Sequence, residues 1–570
     1  MVMGSEAVVS AGHYLATEVG MQILRGGGNA FDAAVATGFA LSVLKPHQNG
    51  IAGEVPMLVY SAADQKTLAI SGAGVAPRAA TLEAYRSLGI EVIPGDGFLP
   101  TTVPSAFATY VLVFEQFGTL RLSDVLTPAV TLARRGFPMY DALRNSIAEQ
   151  ADRFREEWPS SAEKFLVDDE IPANVAPWRQ PTWAATFEAA VAQDQQYGDR
   201  RDGCHAALDY FYRGPVAERI AAFCAGESVL DASGDRHRGL LTVEDLAGFS
   251  ARVEEPVSTV WQDMTVYKCG PWTQGPVFLQ SLNLLKPFDL TASGHNSADY
   301  IHTVTECMKL AFADREYYYG DPAFSDIPLD RLLSEAYALE RAALVDLNAA
   351  SMQLRPGGYP PITAQRVTDV ESSFAKGDTT KFDVIDCEGN MVSGTPSGGW
   401  LMGSPVVPGL GFPLGTRGQM FSLLEGHPNC IAPGKRPRQT LTPTLVTREG
   451  RPCMVFGSPG GDVQDQWALQ FFLNVTVHGM SLQEAVEAPT FWTEHFPNSF
   501  YPRHAVPGSL FVESRVPAQV RKALAERGHQ VTMTAAWSGG NTLAAGIDHE
   551  TGTRYAAASP RLNPAAAAAW

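Results

Sequence analysis

"GDTTKFDVIDCEGNMVSGT", residues 377–395, is the stretch on which the reading of this chain turns. Two threonines follow a glycine and an acid. From Thr379 the pattern becomes strand-like: Phe382 and Val384 alternate with Lys381 and Asp383, CEGN turns the chain, and MVSGT returns. Upstream, residues 347–378 carry Pro356, Gly357, Gly358, Pro360 and Pro361 and then a polar run, the composition of a long mobile loop. Linker, threonine, strand is what a self-cleaving precursor needs. A cut before Thr379 puts a hydroxyl nucleophile and a free α-amine on one residue. That amine has a reference pKa of about 8, so part of it is neutral at pH 7 and can take the hydroxyl proton. The plain alternative is a β-branched pair opening a strand, which is common.

A second stretch bears on the same chemistry. "VFGSPGGDVQDQWALQFFLNV", residues 455–475, reads as strand, Gly-rich turn and helix. Gly460 and Gly461 leave bare backbone N–H groups just before a helix that Asp462 is placed to cap, and such a place can hold an oxyanion. Other motifs are absent. G-x-S-x-G would need Gly where Phe456 stands, "APGKRP" lacks P-loop spacing, and no H-E-x-x-H occurs. The twelve histidines do not cluster, and His302 on an amphipathic segment reads as structural.

Elsewhere, residues 13–25 have helical spacing and stop at GGG, and Asn29 with Asp32 forms a capping box for an apolar, buried helix. "MLVYSA" and "KTLAIS" read as strands, and helices dominate from about 105 to 350. The Met and aromatic stripe of residues 297–321 reads as core, and the Ala run at 565–569 as a frayed tail. A formal charge of −18 argues against nucleic acid. Seven scattered cysteines without a C-x-x-C pair argue against a disulfide framework or zinc site. The longest apolar stretch is too short to span a bilayer and holds Asp32, and no signal peptide is visible, so a cytoplasmic location without membrane contact is expected, a removed leader aside.

Taken together, the stretches 27–53, 313–324, 378–393, 433–446, 457–461 and 556–561 resemble the γ-glutamyltransferase (γ-glutamyltranspeptidase) family of N-terminal-nucleophile (Ntn) hydrolases, in the family's order and over nearly the whole chain. The resemblance implies an α+β fold, a four-layer αββα sandwich. It implies a precursor cut between Asp378 and Thr379 into a large piece, 1–378, with 347–378 as the mobile linker, and a small piece, 379–570, that remain together as a heterodimer, with a dimer of heterodimers left open. Thr379 is then the nucleophile of an acyl-enzyme, Ser397 the hydroxyl supporting it, and Gly460 and Gly461 the oxyanion hole. No metal or organic cofactor is implied, and the partner is a small-molecule amide.

The departures concern the substrate. Where the family grips an amino-acid head with an Arg, an Asp, a Ser–Ser pair and an Asn, this chain has Ala73, Met420, Gln439–Thr440 and Gly399, and Glu54 intrudes on a glycine run. An α-amino-acid head should bind such a pocket poorly, because a charge desolvated without a partner is costly. Arg417 is new, and a guanidinium fork suits a carboxylate. The head pocket is thus closer to the oxamate amidohydrolase and cephalosporin-acylase-like branch, with Arg417, Gln439 and Thr440 as substrate-binding candidates and an acidic amide as substrate. A conventional γ-glutamyl hydrolase or transferase, an uncleaved binding protein, and a structural ion pair for Arg417 stay open as alternatives.

Overall fold

The computed structural model describes residues 1–360 and 379–570. Two seven-stranded sheets form its centre. In spatial order the first holds Ala566–Ala569, Val8–Ala11, Phe382–Ile385, Met391–Gly394, Met57–Ser61, Lys66–Ser71 and Arg252–Glu254. The second holds Val2–Gly4, Arg554–Ala558, Leu543–Ile547, Arg451–Gly457, Thr444–Arg448, Met264–Lys268 and Val257–Trp261. All neighbours within these two sheets are antiparallel. CEGN makes the hairpin between Phe382–Ile385 and Met391–Gly394, with Ile385 opposite Met391.

Side-chain alternation makes the four layers. On one face of the first sheet Val9, Ala11, Val59, Phe382, Val384 and Val392 pack against the helices Tyr14–Arg25 and Ala30–Leu44. On its other face Val8, Leu58, Tyr60, Ile385 and Met391 meet Leu445, Val455, Ala545 and Ala556 of the second sheet. The outer face of the second sheet packs Val266, Val446, Phe456 and Ala544 on the helices Gly275–Leu285, Ala298–Tyr318 and Gln464–Thr476. The result is the expected αββα sandwich. Ala30–Leu44 is buried along its whole length, and its capping box is present: Asn29 Oδ1 accepts from Phe31 N and Asp32 N, and Asp32 accepts from Asn29 N.

Three local expectations change. Ala566–Ala569 is no frayed tail: it is an edge strand paired with Val8–Ala11, and Trp570 N donates to Ala7 O at 2.9 Å. Asp462 does not cap a helix by its side chain; a short 3₁₀ turn, Gly461–Val463, intervenes, and the carboxylate turns to Arg315 and Ser499 instead. The looseness expected over 347–378 does not extend to 347–360. There Leu354 is buried, Ala350 N donates to Arg527 O (2.7 Å) and Gly357 N to Asp314 Oδ1 (2.8 Å). The rest of that linker, and Asp378, lie outside the described residues.

Candidate active site

Thr379 is fully buried just ahead of the strand Phe382–Ile385, bridged to Ser397. Alternation sends Thr380, Phe382 and Val384 toward the helices and Thr379, Lys381 and Asp383 toward the second sheet. The hydroxyls of Thr379 and Ser397 stand 3.2 Å apart. Two residues on, Lys381 Nζ donates to the Asp383 carboxylate and to Ser393 Oγ (2.9 Å). Burial pulls the Lys381 ammonium down to about 8, with Asp383 opposing.

The Gly-rich turn lies across from this strand. Gly457 packs on Lys381 so closely that a Cβ would sit 2.6 Å from its Cε. Gly460 (φ 127°) and Gly461 (φ 59°) then turn the chain, conformations open to glycine and strained for other residues. Their position depends on what lies beneath. Gln274 Nε2 donates to Gly461 O at 3.4 Å, and Asp462 is held by Arg315 and by Ser499 Oγ at 2.6 Å. With its amide turned to match its neighbours, Gln464 accepts from Gly461 N at 3.3 Å, a contact an oxyanion would have to displace.

Gln439 and Thr440 approach the same turn, since they precede Thr444–Arg448, whose Thr444 pairs with Phe456 just before Gly457. The Gln439 backbone is anchored: its N–H donates to Trp272 O (2.9 Å) and its carbonyl accepts from Gln274 N (2.8 Å). Its side chain is not. Both amide atoms of Gln439 and the Thr440 hydroxyl are buried with no hydrogen-bond partner among the described residues. Thr395 and Thr416, also buried, have orphaned hydroxyls too. Buried polar groups are rarely left so, and an ordered water or a ligand can satisfy such atoms.

Arg417 is where expectation and structure part. It is no uncommitted guanidinium awaiting an acid group. It is fully buried, Nε donates to Glu54 Oε1 at 2.5 Å, and one Nη donates to Ser397 Oγ at 2.7 Å. Its plane lies near the rings of Trp400 (5.0 Å) and Phe500 (5.7 Å), and the other Nη touches Met420 Sδ at 3.7 Å. The charge that suggested an acidic substrate is already balanced. Sequence reasoning found Glu54 and Arg417 as separate departures and missed that they are partners, as it missed Trp400, Phe500 and the Lys381–Asp383 pair. The available signal was two opposite charges intruding at positions flanked by glycine and apolar residues.

One trio has metal-ligand chemistry. His302, Glu306 and His529 are buried, with candidate ligand atoms within 4.8 Å of one another. Most of their polar atoms are already engaged: His302 lies 2.8 Å from both His529 Nε2 and Asp346 O, and Glu306 is paired with Lys309 (2.6 Å) and Arg355 (3.3 Å), while His529 Nδ1 is buried without a partner among the described residues. Two cations on the one carboxylate oppose a divalent ion. The seven cysteines are free, and no helix among the described residues is long and apolar enough to cross a membrane.

A family model described as Gamma-glutamyltranspeptidase matches residues 16–569. The acylase ACY 1 proenzyme of Pseudomonas sp. (strain SE83) is 32% identical over 548 residues, 94% of this chain and 89% of that one. Among solved structures, that of LmbA2991HD superposes with a TM-score of 0.95 at 44% identity, covering 100% of this chain and 98% of its own. The cephalosporin acylase from Bacillus halodurans gives 0.85 at 30% identity, with 100% and 96% covered.

Proposed function

This chain belongs to the gamma-glutamyltranspeptidase family, and from that premise we propose that it is an autoprocessed Ntn amidohydrolase with Thr379 as its nucleophile. The observation that carries the reading is the Thr379 hydroxyl, 3.2 Å from Ser397 Oγ, just ahead of a strand whose Lys381 packs on Gly457, three residues before Gly460. In the precursor the hydroxyl attacks the carbonyl of Asp378, the peptide becomes an ester, and water releases Thr379 with a free amine. The two pieces stay together because their strands interleave: Phe382–Ile385 pairs with Val8–Ala11, and Met264–Lys268 with Thr444–Arg448. In the mature enzyme the amine takes the hydroxyl proton and the oxygen attacks a substrate amide. The oxyanion is met by the N–H groups of Gly460 and Gly461. The C–N bond breaks, the leaving amine takes the proton, and water or an amine removes the acyl group.

The acyl head is an uncharged polar group rather than an acid. Ala73, Met420 and Gly399 leave an amino-acid head without its expected partners, and the Arg417 charge is spoken for by Glu54. Gln439 offers a donor and an acceptor side by side, which an amide or hydroxyl-bearing head satisfies and a carboxylate satisfies by half. Three p-nitroanilides of matched length test this, one ending in a carboxamide, one in a carboxylate and one in a γ-glutamyl head. The expected order of kcat/KM is carboxamide, carboxylate, γ-glutamyl. A γ-glutamyl head in first place would return the chain to conventional glutathione-type chemistry.

A further inference from the structure

We propose that Glu54 and Arg417 form one charge-neutral positioning pair that aims the Ser397 hydroxyl at Thr379. The proposal rests on the reading of Thr379 as nucleophile and adds a function for two residues that the family resemblance does not explain.

A guanidinium carries donors only, so in the 2.7 Å contact between Arg417 and Ser397 the serine oxygen accepts. Ser397 keeps its own proton for another partner, and a hydroxyl that accepts from a cation is a stronger donor. Thr379 Oγ1 lies 3.2 Å away. In the proposal Ser397 donates toward the nucleophile's oxygen, one of the two directions the contact allows, and stabilises the charge that gathers there during attack. It is not a base. Arg417 alone could not stay in this place, because an uncompensated cation with no solvent exposure is strongly unfavourable. Glu54 supplies the balancing charge and fixes the geometry. Its side chain holds the guanidinium at 2.5 Å, while its backbone exchanges two hydrogen bonds with Ser397, both 2.9 Å. Gly398 makes room: at φ 72° it has no Cβ, and one placed there would sit 2.5 Å from Glu54 Oε1. The three residues are thus built around one another, with the aromatic faces of Trp400 and Phe500 beside the guanidinium.

A merely structural ion pair makes a different prediction, and a charge-removal cycle separates the two. The proteins are wild type, Glu54→Gln, Arg417→Gln and the double variant. The probe is p-nitrophenyl acetate, which acylates the hydroxyl without needing the natural substrate, read as nitrophenolate burst rate across pH and by mass of the Thr379 peptide. Arg417→Gln should slow acylation by about 100-fold, the scale of losing one donor to developing charge. It should also raise the pH of half-maximal rate, because removing a cation favours the protonated amine of Thr379. Glu54→Gln removes an anion and should move that midpoint down. The other charged pairs near this corner, Lys381 with Asp383 and Arg315 with Asp462, are unchanged throughout the cycle. The double variant, with two amides in place of two charges, should regain wild-type Tm within a few degrees while acylation stays slow. Should the double variant not fold, Arg417→Lys serves in its place: its single ammonium keeps the Glu54 pair but cannot also reach Ser397, so stability holds and rate falls. Recovery of both Tm and rate in the double variant, or full rate in Arg417→Lys, overturns the proposal. Wild type that carries no acetyl group on Thr379 overturns instead the reading of the nucleophile on which the proposal rests.

Discussion

The two walls of the candidate site are built on opposite plans. On the nucleophile's wall Thr379, Ser397, Arg417 and Glu54 are joined by contacts of 2.5 to 3.2 Å, and every charge is balanced. On the second, linked to the glycine turn through Gln274, Gln439 and Thr440 hold buried polar atoms that no described residue satisfies. Four side chains joined in this way have a geometry to keep, although Thr380, Thr395 and Thr416 beside them carry unpartnered hydroxyls. A wall with hydrogen bonds missing has a place to fill. On the proposed reading the first wall carries the chemistry and the second the recognition, and substrate selection moves away from Arg417, whose charge Glu54 balances.

The comparison can be broken most severely at its first wall. Thr379→Ala removes the proposed nucleophilic oxygen and its 3.2 Å contact with Ser397, so self-cleavage and amide turnover should both fall to background while Tm stays within a few degrees. Denaturing electrophoresis beside an amide assay reads both, and a Thr379→Ala protein that still splits into two pieces would unseat this wall as the site of chemistry. Next in size is the support beneath the glycine turn. Asp462→Ala leaves the buried Arg315 without its Asp462 partner and should cost about 3–5 kcal/mol in denaturant unfolding. A loss below about 1 kcal/mol would mean that Glu316, which also contacts Arg315, carries the pair alone.

The second wall gives a prediction of opposite sign. Gln439→Leu removes two orphaned polar atoms and should leave stability unchanged or raise it by about 1–3 kcal/mol. The same change should raise KM for the preferred anilide by about 10–100-fold with a smaller effect on kcat. Loss of stability in Gln439→Leu would show that this amide is paired for the fold and not held for a ligand. A pH-dependent effect lies behind the first wall, where burial lowers His13 from 6.5 to about 3, with Lys45 adding to the shift. Between those values the unfolded chain binds a proton that the folded chain does not, so stability falls as pH drops from 6.5 toward 3. The slope reaches about 1.4 kcal/mol per pH unit for each such histidine. His495, lowered to about 3 for the same first reason, works in the same direction. His13→Gln should flatten the dependence of Tm on pH in that window, and an unchanged profile would assign the acid sensitivity elsewhere.

Much of this was legible because it is written locally. The Thr379 strand, the CEGN hairpin, the Asn29 capping box and the two glycines at 460–461 depend on neighbours a few residues away. What failed depends on distance. Glu54 and Arg417 lie 363 positions apart, and no pattern in either segment names the other. Asp462 had the local address of a cap, and Arg315, 147 positions away, outbid the helix for it. The Ala566–Ala569 strand carries no alternation to read, since every residue is the same; only its pairing with Val8–Ala11 reveals it. The family's order of motifs pointed to the fold, while the substrate wall departs from the family and so had to be read from unmet hydrogen bonds.

The central claim is tested most directly by intact mass and N-terminal sequencing of the purified protein. The account predicts two tightly associated chains, the smaller beginning Thr379-Thr380-Lys381. An active protein that remains one chain of 61.4 kDa would contradict it.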